Sequence, residues 1–197
     1  MIHCVFNRPS GELKVFASPG GPQRGSFQAT GDAWGRTTNP GDGPHGHFWP
    51  IPPGHYLLTV WQSWGTAGAV ASEGYGQIYV VDIDDGTKQR LVDAGLCTIS
   101  GDNLVIGGFA LARNGLAQNQ RAAIMVHGGG SNAPDPFAAM QPLCATDGCT
   151  RVHNQDWPTL VNLLAGTSLS FPPAPAGGTF PETVVYTVVG DSPQATC

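Results

Sequence analysis

Cys149 is the residue in this sequence best placed to do chemistry. It stands in the stretch Thr-Asp-Gly-Cys-Thr-Arg, residues 146–151. Gly148 lets the backbone turn tightly there and leaves the thiol open to a substrate. A nucleophilic cysteine needs a base in reach and donors for the oxyanion that forms when it attacks a carbonyl. The sequence offers His127 as the base, 22 residues upstream. His127 closes the apolar run Ala-Ala-Ile-Met-Val and precedes Gly128, Gly129 and Gly130, which puts it at the tip of a strand beside a glycine loop. Backbone N–H groups around Gly148 and Cys149 would face the developing charge. Taken alone, Cys149 has two other roles open to it: a bridge to Cys144, or a small buried hydrophobe. Cys144, Cys4, Cys97 and Cys197 read as structural, and Cys197 could also link chains.

The elements that must position these residues are mostly short strands. Residues 2–6 and 12–17 read as a hairpin about the turn Asn-Arg-Pro-Ser-Gly. Residues 25–30, 55–62, 76–84, 103–111, 122–127 and 183–189 are further strands, each apolar or alternating and bounded by turn formers. Residues 31–47 and 171–181 are Gly- and Pro-rich loops. The clearest helix covers 155–166, with Leu160, Leu163 and Leu164 at helical spacing, Pro158 in its first turn and Gly166 as its stop. Residues 135–141, Asp-Pro-Phe-Ala-Ala-Met-Gln, suggest one more helical turn. The expected fold class is mainly β with one or two short helices, in a single domain over 1–197.

Composition narrows the function classes. Of 197 residues, 41% are hydrophobic and only 12% are charged, so a packed core rich in ordered loops is expected rather than disorder. The net charge is −5 and no basic run exists, so no nucleic-acid partner is expected. No apolar run approaches the length of a membrane span. The N-terminal stretch lacks the pattern of a secretory signal, which predicts synthesis in the cytoplasm and argues against a disulfide framework. Five cysteines leave at least one thiol free or paired between chains. His45, His47 and His55 invite a zinc reading, but no further ligands accompany them at ligand spacing, and neither a metal nor another cofactor is expected.

Together, Val-His-Gly-Gly-Gly at 126–130 and Thr-Asp-Gly-Cys-Thr-Arg-Val-His-Asn at 146–154 resemble the L,D-transpeptidase catalytic domain family. That family carries a strand ending in His-Gly and, downstream, a Ser/Thr-x-Gly-Cys-x-Arg turn often followed by Asn. Ile-Pro-Pro-Gly-His-Tyr-Leu-Leu at 51–58 is similar to its Pro-x-Gly-aromatic strand start, so the resemblance spans about residues 45–165. It implies a β-sandwich or barrel-like fold and a cysteine acyl transfer on peptidoglycan stem peptides. Cys149 would be the nucleophile, His127 the base, and amides at Gly148 and Cys149 the oxyanion donors. Arg151 would brace the loop or bind a substrate carboxylate, and Thr146, Asp147, Gly128 and Asn154 would line the substrate side.

The pattern departs from the family at Asp147, where a histidine or cation is usual, and in the longer His-to-Cys separation. A carboxylate about 6 Å from the thiolate would disfavour it by roughly 2–3 kcal/mol at an effective dielectric near 20. The resemblance, with the cytoplasmic start, implies delivery to the cell envelope by a phage particle or a secretion apparatus. The alternative is a structural or adhesion component of such a particle that keeps the fold with little chemistry. A cysteine peptidase that only cleaves is a third reading.

Overall fold

The computed structural model describes residues 1–32, 50–51, 53–64, 71–83, 89, 93, 98–100, 103–106, 109–111, 124–146 and 148–190. Eleven strands and one helix are described: β1 (Ile2–Asn7), β2 (Glu12–Phe16), β3 (Gln23–Thr30), β4 (Gly54–Ser63), β5 (Gly76–Ile83), β6 (Thr98–Ser100), β7 (Asn103–Ile106), β8 (Phe109–Leu111), β9 (Met125–His127), β10 (Thr150–Val152), α1 (Asp156–Ala165) and β11 (Ala176–Val189). The fold is mainly β, as the sequence predicts.

Eight strands close into a barrel in the order β1-β11-β4-β5-β9-β10-β3-β2. The closure follows from alternation. Ile2, Cys4 and Phe6 of β1, and Leu13 and Val15 of β2, point inward at every second position and are buried. Leu58 and Tyr56 of β4, Ile78 and Val80 of β5, and Val184, Tyr186 and Val188 of β11 complete the same interior. Most pairings are antiparallel. The exceptions are β1 with β11 and β9 with β10, which run parallel. Strands β6, β7 and β8 form a separate antiparallel meander.

Helix α1 matches the expected one. Gly166 ends it in a left-handed conformation at φ 67°, and its N–H returns to the Asn162 carbonyl. Trp157, Leu160, Val161 and Leu164 are buried, and the helix packs on β3 and β11. Burial of each such side chain is worth about 1.5–3 kcal/mol.

Three expectations need correction. Residues 135–141 form turns rather than a helical turn, because the carbonyls of Pro136 and Ala138 are drawn to the Asn154 side chain and that of Ala139 to the Gln155 amide. β11 begins at Ala176, well inside the stretch read as a loop; Pro181 is tolerated because the pairing with β4 shifts register between Thr179 and Val184. The strand read through 103–111 is two strands, paired through Ile106 and Phe109. No helix among the described residues is long and apolar enough to cross a membrane.

Candidate active site

The wall made by β5, β9 and β10 carries the site on its outer face. Ile78 pairs with Val126 and Val126 with Thr150, all turned inward; Thr150 meets the Tyr186 hydroxyl at 2.5 Å inside the barrel. The next residues along therefore turn outward together. Gln77 pairs with His127, and His127 with Arg151, so these three side chains lie abreast on adjacent strands. Cys149 directly precedes Thr150, the first residue of β10. The parallel pairing of β9 and β10 thus sets Arg151 beside His127, with Cys149 two residues before Arg151 along the chain.

His127 is buried, and its Nδ1 lies 2.7 Å from the Gly128 carbonyl oxygen. A carbonyl can only accept, so Nδ1 carries the proton, and Nε2 of the neutral ring carries the lone pair. Burial first, and the Arg151 guanidinium second, lower the His127 pKa to about 3, against the opposing pull of the Gly128 carbonyl. The resting ring is neutral with its basic nitrogen already selected. Cys149 is not disulfide-bonded and is 7% exposed.

The cysteine turn is braced from within. The Gly148 N–H donates to Thr146 Oγ1 at 3.0 Å, and that hydroxyl donates to the Cys149 carbonyl at 2.8 Å. Gly148 sits at φ 112°, a conformation glycine adopts without strain. The Thr146 N–H holds the Asp32 carbonyl at 3.0 Å, fixing the turn to the end of β3. Two roles implied by the resemblance therefore look different here. Thr146 shapes the turn, and the Gly148 amide is engaged by Thr146 in this structure. Arg151 is buried; its Nη1 donates to the Cys144 carbonyl at 2.6 Å and the Ala145 carbonyl at 3.2 Å. Of its two expected tasks, bracing the loop is the one the geometry displays.

The histidine loop is held from the opposite side by Asn154 and by Gln141, a residue the sequence reading missed. Both are fully buried. Asn154 Oδ1 accepts from the Gly129 N–H at 2.8 Å, while its Nδ2 donates to the carbonyls of Pro136 and Ala138. Gln141 Oε1 accepts the Asn154 N–H at 2.7 Å, and its Nε2 donates to the carbonyls of Val152 and Gly129. Asn154 therefore positions the backbone whose Gly128 carbonyl orients His127. A Cβ on Gly128 would strike the Asn154 side chain, and one on Gly129 would strike the backbone of Gly74. The only sequence signal for Gln141 is a polar residue between Met140 and Pro142, which is too weak to single it out.

Cys144 is disulfide-bonded, so the Cys144–Cys149 bridge is not formed; the partner of Cys144 lies outside the described residues, as do Cys97, Cys197, Asp147, His45, His47 and Trp49. The disulfide departs from the sequence expectation that a disulfide framework is not the default, and it fits the reading of Cys144 as structural. His55 stands on the opposite wall, where it and His3 share the Thr187 hydroxyl at 2.8 and 2.7 Å. No cluster of three metal-ligating side chains occurs among the described residues. Neither a scan against protein-family models nor a search of curated proteins finds a match for this chain.

Proposed function

We propose that this chain is a cysteine acyl-transfer enzyme acting on peptidoglycan stem peptides, as an L,D-transpeptidase or L,D-carboxypeptidase. The observation that carries the reading is the His127 Nδ1–H bond to the Gly128 carbonyl, which leaves the lone pair of a neutral ring on Nε2, on a strand paired with the one that Cys149, outside any disulfide, leads into. The order of Pro-Gly strand, His-Gly strand and Gly-Cys-x-Arg turn supports the family assignment, and the eight-strand barrel is compatible with it.

In the proposed reaction the Cys149 thiol proton moves to His127 Nε2 as sulfur attacks the peptide carbonyl carbon. The tetrahedral oxyanion takes hydrogen bonds from the backbone of the cysteine turn, where the Gly148 amide first leaves Thr146 Oγ1. The C–N bond then breaks, and the leaving amine receives the proton from His127. The thioester passes its acyl group to an acceptor amine or to water, which returns a proton to Cys149 by way of His127. With a folded-state pKa near 3, His127 is neutral at rest and forms no standing ion pair with Cys149, so in this reading the proton moves only as sulfur attacks. The disulfide at Cys144 supports work in an oxidising compartment, which agrees with delivery to the cell envelope by a particle or secretion apparatus.

The second reading is a particle component that keeps the fold without the reaction. Two observations favour it: the 7% exposure of Cys149 and the engagement of the Gly148 amide by Thr146. Intact-mass analysis after exposure to a carbapenem separates the two. An adduct on the native chain that is absent from Cys149→Ala supports the enzyme, and muropeptide assays then distinguish transfer from hydrolysis. A native chain that forms no adduct and leaves muropeptides unchanged points to the particle component.

A further inference from the structure

The wall that carries His127 also carries a hydroxyl aimed by its neighbour. Tyr79 follows Gln77 by two residues on β5, so both side chains share the outer face, with the inward Ile78 between them. Gln77 pairs with His127 across the sheet, Tyr79 pairs with Met125, and Cys149 directly precedes Thr150, the partner of Val126. Gln77 is buried, and its Nε2 donates a hydrogen bond to the Tyr79 hydroxyl. Tyr79 is only partly buried.

The direction of that bond decides the chemistry. An amide N–H fills an acceptor site on the phenol oxygen, which leaves the phenol proton to be given elsewhere. Among the described residues the Tyr79 O–H meets no protein acceptor. It is thus a preset donor on the rim of the site, for which the described residues supply no acceptor oxygen.

We propose that Tyr79, aimed by Gln77, is a substrate-binding residue that donates a hydrogen bond to a carboxylate or carbonyl oxygen of the acyl-donor peptide. This rests on the acyl-transfer reading above. The spacing sets where on the peptide the contact falls. Cys149 and Tyr79 are two strands apart, about 10 Å at an interstrand spacing of about 4.8 Å. An extended peptide covers that span in about three residues. The donor therefore reads the peptide two to three residues from the bond that Cys149 attacks, and it contributes to binding without taking part in proton transfer.

The test is steady-state turnover of a peptidoglycan-derived tetrapeptide by the native chain, Tyr79→Phe and Gln77→Glu, with Tm measured for each to confirm folding. Tyr79→Phe removes the donor alone. Gln77→Glu replaces an amide donor by an acceptor, which draws the phenol proton inward. Both variants are expected to raise KM about three- to tenfold with kcat within twofold, the mark of a lost binding hydrogen bond. Repeating the comparison on a peptide with amidated side carboxylates identifies the oxygen: a penalty that vanishes assigns a carboxylate, and one that persists assigns a backbone carbonyl. Folded variants with unchanged KM, beside an active native chain, overturn this proposal and leave the acyl-transfer reading standing. A native chain that neither turns over the peptide nor forms the Cys149 adduct overturns both.

Discussion

A histidine that donates from Nδ1 to a backbone carbonyl has one nitrogen left to act as a base, and at His127 burial keeps that nitrogen unprotonated far into acid. The same burial has a stability consequence. The folded-state pKa, about 3, lies below the ordinary value of 6.5, so the unfolded chain binds this proton first. Stability is therefore fully present above about pH 6.5 and is lost as pH falls toward 3, by up to about 4–5 kcal/mol at 1.36 kcal/mol per pKa unit. Urea titrations between pH 7 and pH 4 should show this slope, and His127→Gln should flatten it. Thiol chemistry gives a second check. Cys4 lies inside the barrel, where burial pushes its thiol up, so iodoacetamide should label Cys149 well before Cys4 in the native state. Thr146→Val is expected to slow adduct formation at Cys149 about tenfold or more, because it removes both bonds that shape the turn, while Thr146→Ser should retain them.

Among the elements, α1 and the long alternating strands were legible because period and caps agree there: Gly166 and the buried Leu160 and Leu164 sit where helical spacing puts them. What escaped was set by tertiary contacts. β10 is three residues long, and its middle residue is a buried arginine, so no apolar pattern marks it. Residues 135–141 carry helix-forming alanines, yet Asn154 takes two of the carbonyls a helix would use. At the candidate site, residue type and spacing single out Cys149, His127 and Arg151, and the strand register sets His127 beside Arg151. The work of Asn154 and Gln141 could not be read that way, since a buried amide is recognised by what surrounds it. Asn154→Leu should therefore cost about 3 kcal/mol or more by stranding the Gly129 N–H and two carbonyls, measured by chemical denaturation. Trp157→Ala in α1 should cost about 3–5 kcal/mol for a different reason, the cavity left in the core.

For the molecule as a whole, a closed barrel leaves no free sheet edge among its eight strands. The disulfide at Cys144 acts at this scale. It anchors the segment whose carbonyls hold Arg151, so reduction is expected to lower stability by about 2–4 kcal/mol, seen as a fall in Tm with dithiothreitol. The barrel closes where β1 and β11 run side by side in the same direction, from Ile2 beside Val184 to Asn7 beside Val189. A pull applied at Met1 and at Gly190 would drag these two strands past each other along their length. All the bonds of that ladder would then bear the load at once, where an antiparallel pair pulled from one end would open one bond at a time. A chain clamped in this way is expected to resist stretching from its ends, which single-molecule pulling at Met1 and Gly190 would measure.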